Sequence, residues 1–224
     1  MNETWALVPL KRLDRAKRRL APALTPESRA DLVLAMFTDV LEALAGVRSI
    51  ARILLVSNEP EAGSLFHPAN LEVFYSAPSE GMNRELEQAA AYAWSQGAQQ
   101  VLIVHGDLPY LTARAIGKFL TPAPPDGMRA AACKLGSGTN VLLLPLPLRI
   151  PLVFGRHSLQ RFQRLAEGVG QHFDIVRDLR LAADIDDQAD FARLSTTAHD
   201  GPRPGSATQA FLEEFAHRRS TAVR

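Results

Sequence analysis

The sequence holds one cysteine, Cys133, in 224 residues, so no internal disulfide can form. Cys133 stands between Ala132 and Lys134 in an apolar run, the setting of a small core residue rather than a nucleophile. An excess of one charge is missing as well: 25 Lys and Arg face 24 Asp and Glu, a net charge of +1. That balance gives no reason to expect a nucleic-acid partner, and no acidic excess that would favour disorder. Long apolar runs are lacking. Stretches such as Val141 to Pro147 are far too short to cross a bilayer, so no membrane partner is expected. Residues 1–5 (MNETW) carry neither the basic region nor the apolar region of a signal peptide, which predicts a cytoplasmic protein. Neither a Walker A loop nor a Gly-x-Gly-x-x-Gly dinucleotide fingerprint follows the first apolar run.

Short apolar runs alternate with amphipathic stretches. The runs Thr4–Leu10, Ser49–Ser57, Leu71–Ser76 and Val101–His105 read as strands covered on both faces. Helices are expected between them. Thr25, Pro26 and Glu27 form a helix start, followed by a stripe of Val33, Phe37, Val40, Leu41 and Leu44. A second helix spans about Asn83 to Gln96, with Leu86, Ala90, Ala93 and Trp94 inward and Gly97 as its stop. Thr112 caps a third, through Ile116, Phe119 and Leu120, and a fourth begins near Ser158 and buries Leu159, Phe162 and Leu165. The alternation predicts an α/β sheet with helices on both faces. Residues 129–146 read as two strands joined by a Gly-rich turn, an antiparallel excursion in a mixed sheet. One folded domain is expected over 1–194, and a Pro/Gly linker over 195–206. Residues 207–224 form a terminal helix or a frayed tail; as a helix, Phe211, Leu212 and Phe215 would face the domain or a second subunit.

Ligands of open α/β sheets bind at the carboxyl ends of strands, and four features fall there. Residues 9–20 (PLKRLDRAKRRL) are half cationic. They suit a polyphosphate or form a solvated cationic face. Asp107, in His105-Gly106-Asp107-Leu108-Pro109, suits Mg²⁺ or caps a turn; His105 reads as a packed neighbour rather than a base. Gly136-Ser137-Gly138-Thr139-Asn140 allows close approach of an anion or is a plain hairpin turn. In Ala183-Asp184-Ile185-Asp186-Asp187, an extended backbone would aim Asp184 and Asp186 to one side as metal ligands. Asp187 would cap the helix that follows.

Taken in order, these features resemble the 2-phospholactate guanylyltransferase family of coenzyme F-420 biosynthesis. The resemblance runs from about Trp5 to Leu194. It rests on Val8, Pro9 and Lys11; Ala16, Lys17, Arg19 and Leu20; Thr25, Pro26 and Glu27; and Gly81-Met82-Asn83. It continues through Gly106-Asp107-Leu108-Pro109, Gly138-Thr139-Asn140, Phe154-Gly155 with Ser158, and the pair Asp184 and Asp186. The sequence departs from the pattern at His105, where a small residue or Pro is usual. It departs again at residues 133–137 (CKLGS), where Asp and Arg are usual.

The resemblance implies an α/β three-layer sandwich with a mixed, mostly parallel sheet, of the nucleotide-diphospho-sugar transferase (glycosyltransferase-A) type. It implies Mg²⁺, with GTP as substrate and 2-phospholactate, phosphoenolpyruvate or 3-phosphoglycerate as acceptor. By the same likeness Asp107, Asp184 and Asp186 bind the metal, and Thr139, Gly155 and Ser158 bind the acceptor. The cations Lys11, Lys17 and Arg19 suit the triphosphate, with Lys17, Arg19 and Asp107 as the catalytic set. A homodimer is also implied. Two other readings remain at this point. One is a molybdenum-cofactor or sugar-phosphate nucleotidyltransferase, whose usual Gly-rich loop is absent after Leu10. The other is a non-catalytic nucleotide-binding domain.

Overall fold

The structure is a computed structural model that describes residues 3–11, 13, 17–59, 61–76, 81–121, 127–196 and 202–222. Arg12, Arg15 and Ala16 of the basic loop, and 197–201 of the expected linker, lie outside the described residues.

Strand β1 (Thr4–Leu10) is buried throughout, as its unbroken apolar run requires. Helix α1 (Pro26–Ala45) follows; Thr25 caps it by accepting from the Ser28 N–H at 3.2 Å, and Pro26 fills the first turn. Next come β2 (Ile50–Ser57), the short α2 (Ala62–Leu65), β3 (Leu71–Tyr75), α3 (Met82–Ser95) and β4 (Gln100–Val104). Then follow α4 (Ala113–Leu120), β5 (Met128–Ala132), β6 (Thr139–Pro145), α5 (Ser158–Gly168) and β7 (Phe173–Val176). The chain closes with α6 (Leu179–Ala182), α7 (Gln188–Thr196) and α8 (Ser206–Ala222).

The seven strands form one sheet in the order β3-β2-β1-β4-β6-β5-β7. Only β6 runs against its neighbours, β4 and β5. One core layer joins the sheet to α1, α4 and α7; the other joins it to α3 and α5. This is the mixed three-layer architecture expected from the sequence.

Three details differ from expectation. Trp94 is 47% exposed, because α3 buries the small-residue stripe of Leu86, Ala89, Ala90 and Ala93 and leaves the indole at its margin. Leu165 is only partly buried, and Ala166 takes the inward position. Strand β7 was not foreseen: at the sheet edge it is mostly half-buried, so its sequence (FDIV) lacks a continuous apolar run.

Helix α8 lies against α1, with Phe211, Leu212 and Phe215 packed on the core. Asp39 of α1, 4% exposed, accepts from the Ala207 and Thr208 N–H groups at 2.9 Å each. Those are orphan donors of the helix start, and a carboxylate there satisfies both the hydrogen bonds and the dipole. Among the described residues no helix is long and apolar enough to cross a membrane.

Candidate active site

Sheet topology gathers the site. β1 and β4 are parallel neighbours, so the loops after Leu10 and Val104 leave the same edge. Because β6 is antiparallel to β4, pairing Val141 with Val104, it delivers Thr139 and Asn140 to that edge. The ends of β5 and β7 arrive there with Lys134 and residues 183–187, since both strands run parallel to each other and against β6.

At this edge the Lys17 ammonium bridges two carboxylates from distant segments. It donates to Asp107 Oδ2 at 2.6 Å and to Asp186 Oδ1 at 2.9 Å. The Lys17 backbone is left-handed, at φ 45° and ψ 46°, a conformation that costs a non-glycine residue on the order of 1 kcal/mol. His157, just before Ser158, is the other described non-glycine residue with positive φ, at 55°. Such strain tends to collect at functional sites.

The electrostatics follow from burial and charge together. Burial by itself would lower the Lys17 pKa, but Asp107 and Asp186 outweigh it and hold it above its ordinary value. Burial would likewise raise Asp107, yet the Lys17 ammonium prevails and keeps that carboxyl below the usual range. Asp184 is pushed up to about 6, first by burial and then by the charges of Asp107 and Asp186. Asp184 therefore lies close enough to the other two acids to be repelled by them. Burial also lowers the His105 pKa, so its imidazole is neutral at pH 7. Lys11 is exposed, and its charge reaches His105. Arg19 is exposed on the turn Arg18–Leu20.

The strand expected at 183–187 does not form. The segment leaves α6 without regular structure and is shaped by individual bonds. The Ile185 N–H donates to the Asp107 carbonyl at 3.2 Å, tying the two acidic segments together. Asn140 Nδ2 reaches the Leu181 and Ala182 carbonyls at 3.1 and 3.3 Å and Asp184 Oδ1 at 3.3 Å. Asp187 caps α7 as expected, accepting from the Asp190 N–H at 3.0 Å. In return, Asp190 accepts from the Asp187 and Asp186 N–H groups at 3.1 and 2.9 Å, a reciprocal capping box. Lys134 pairs with Asp190 and donates to the Asp184 carbonyl at 3.2 Å.

Asn140, Lys134 and Asp190 thus hold the acids, and none was singled out for that role from the sequence. The Asp-x-x-Asp spacing of 187 and 190 was a readable signal; nothing local marked Lys134. Cys133 is half-buried at this edge, and its sulfur accepts from the Gly138 N–H at 3.2 Å.

Asp190 yields a pH prediction. Burial would raise its carboxyl, but Lys134 and the two backbone donors dominate and lower it from 3.8 to about 2. A depressed folded-state value stabilises the protein above the unfolded value, and that contribution disappears as pH falls through the folded one. Urea midpoints should therefore drop more steeply between pH 4 and 2 in the wild type than in Asp190→Asn. Parallel pH profiles would refute this role.

The expected acceptor residues also meet. Ser158 Oγ donates to Thr139 Oγ1 at 3.1 Å, and both residues are buried. Gly155 has φ 122°, with open space where a Cβ would stand. The N–H groups opening α5 are not all free for an anion: Ser158 N donates to the Gly155 carbonyl and Leu159 N to the Ser137 carbonyl, each at 3.1 Å. The turn ahead of α5 takes the first, and the turn between β5 and β6 takes the second.

For magnesium, the donor chemistry is that of a hard cation: carboxylate oxygens, among them a buried Asp107 Oδ1 without a hydrogen-bond partner. As the side chains stand, Lys17 supplies the positive charge between Asp107 and Asp186, and no described group of three or more His, Cys, Asp or Glu is poised around an ion.

Solved structures share this architecture. A candidate nucleotide-diphospho-sugar transferase from Desulfovibrio desulfuricans superposes with a TM-score of 0.76 at 16% identity, covering 97% of this chain and 96% of that one. A nucleotidyl transferase from Methanothermobacter gives 0.62 at 18% identity, covering 96% and 100%. At these identities the likeness shows the fold alone, the fold class of nucleotidyl and nucleotide-diphospho-sugar transferases.

Sequence similarity narrows the class. Residues 4–213 match the family described as "Guanylyl transferase CofC like". A phosphoenolpyruvate guanylyltransferase of Sphaerobacter thermophilus is 37% identical over 193 residues, 86% of this chain and 92% of its own length. One of Rubrobacter xylanophilus is 32% identical over 214 residues, 91% and 98% of the two chains. The chain belongs to this guanylyl transferase family and is a guanylyltransferase.

Proposed function

We propose that the enzyme moves GMP from GTP to a small phosphorylated three-carbon acid and releases pyrophosphate, a step of coenzyme F-420 biosynthesis. Candidate acceptors are phosphoenolpyruvate, 2-phospholactate and 3-phosphoglycerate. Phosphoenolpyruvate is tested first because the similar proteins carry its name. The observation that carries the reading is the Lys17 bridge between Asp107 and Asp186 at the carboxyl edge of the sheet, with Asp184 close enough to feel the charge of both acids.

In this reading an acceptor phosphate oxygen attacks the α-phosphorus of GTP. The bond from that phosphorus to the bridging oxygen breaks, and its electron pair leaves with pyrophosphate. The acceptor phosphate is already anionic at pH 7, so no strong base is needed. The protein positions the two anions and offsets their charge. Lys17, released from its carboxylates, faces the triphosphate with Lys11 and Arg19. Asp107, Asp184 and Asp186 would hold Mg²⁺, which neutralises phosphate charge when bound. Thr139, Gly155 and Ser158 receive the acceptor.

The test is purified protein with GTP, Mg²⁺ and each acid in turn, read by mass spectrometry and pyrophosphate release. A guanylyl diphosphate ester of one acid is expected, and no product from any of them would overturn the reading. Chelation with EDTA should reduce turnover at least ~100-fold, the scale of losing a key electrostatic group, and added Mg²⁺ should restore it. Turnover indifferent to chelation would remove the metal from the mechanism.

A further inference from the structure

His105 stands where the sequence departs from its family pattern, and its surroundings give it a task. Its backbone N–H donates to the Asn140 carbonyl at 3.0 Å, which places it across from Asn140 and beside Thr139 at the edge of the sheet. Its ring lies 5.2 Å from that of Phe154, centroid to centroid. Phe154 is pinned on both sides of its backbone by Asn83: the amide oxygen accepts from Phe154 N at 2.9 Å, and the amide nitrogen donates to Phe154 O at 3.2 Å. Gly155 follows directly. The imidazole therefore lies between Asp107, two residues along the chain, and the loop that leads to Ser158.

In this setting His105 Nε2 is buried and has no hydrogen-bond partner. Buried polar atoms are nearly always bonded, and one left alone is costly. A second such atom, Asp107 Oδ1, belongs to the same five-residue turn. Two unmet polar atoms at one strand end mark a place arranged for a polar ligand. A histidine kept only for packing gains nothing there over Phe or Leu.

We propose that His105 is a specificity-determining residue of the acceptor site, its Nε2 hydrogen-bonding an oxygen of the phosphorylated acid. The inference rests on the transfer reaction proposed above. On binding, the acid enters between the Thr139–Ser158 hydroxyl pair and the His105 ring, and Phe154 holds that ring in orientation. The nucleotide lies on the other side of Asp107, toward Lys17.

The experiment compares His105→Phe, His105→Gln and His105→Asn with wild type, using GTP, Mg²⁺ and phosphoenolpyruvate, and each variant's thermal melt. His105→Phe keeps the ring but loses the nitrogen; it should raise the acceptor KM about tenfold or more, the scale of a hydrogen bond to a charged group, with the GTP KM within about twofold. The Gln amide reaches the Nε2 position and should restore the acceptor KM to within about threefold of wild type. The shorter Asn side chain reaches only the Nδ1 position and should not. If His105→Phe fails to fold, the Gln and Asn pair decides the matter. An unchanged acceptor KM in His105→Phe, an equal rise in both KM values, or Gln no better than Asn would overturn the proposal. Wild-type protein that makes no product from any acid would instead sink the transfer reaction, and this inference with it; a normal wild-type reaction with indifferent His105 variants sinks the inference alone.

Discussion

Asp107→Asn should lower kcat at least ~100-fold while the fold survives, the loss expected when one fixed electrostatic group leaves a phosphoryl site. Asp107 is the junction of the site. One of its oxygens takes the Lys17 ammonium at 2.6 Å, and its carbonyl anchors the second acidic segment through Ile185 N at 3.2 Å. The amide keeps the shape and the backbone bond and removes only the charge. Stability should change little, because two opposing effects meet. Lys17 loses one partner but keeps Asp186 at 2.9 Å, and Asp184 loses a repelling neighbour, so its carboxyl should titrate lower. Steady-state kinetics beside a thermal melt separates the outcomes. Turnover above about a tenth of wild type would be too small a loss for a group at the reacting phosphates.

Gly106→Ala should damage both stability and activity through a single methyl group. A Cβ on Gly106 would stand 2.1 Å from Phe37 Cε2 and 2.2 Å from Cζ. Phe37 is 6% exposed and packs against Phe66, with ring centroids 6.0 Å apart, so the ring has little room to retreat. Overpacking of this kind costs about 1–3 kcal/mol. Relief must come in part from the backbone that carries Asp107, and misplacing a reacting geometry by ~1 Å costs about 100-fold in rate. A denaturant midpoint and kcat/KM should therefore fall together. Adding Phe37→Leu removes the obstructing ring edge and should recover part of both losses, a coupling that independent sites do not show. Purely additive losses would mean that the ring is not the obstacle.

The sequence made much of this legible because much of it is local. A seven-residue apolar run without polar breaks, such as Thr4–Leu10, has few options besides a doubly covered strand. The cap of α1 sits in three consecutive residues, Thr25 to Glu27. The Gly-rich turn of 133–138 declared the antiparallel pair β5 and β6. Misreadings came where geometry is set from afar. Trp94 looks apolar in a helical pattern, but the sheet below α3 has room for alanines and not for an indole. Residues 183–187 alternate like a strand, yet α6, Asn140 and Asp190 bend them into an irregular loop.

Composition and pattern alone thus determined the α/β class, most of the elements, the identity of the acids and cations, and the family likeness, because each is written in neighbouring residues. Tertiary structure alone decided that Lys17 closes a bridge across 90 and 169 positions of chain, that Lys134 and Asp190 brace the acids, and that His105 Nε2 is left without a partner. The physical reason is range. Hydrophobic periodicity and capping act within a few residues, whereas an ion pair or an unmet hydrogen bond depends on which strand ends the sheet order brings to one edge.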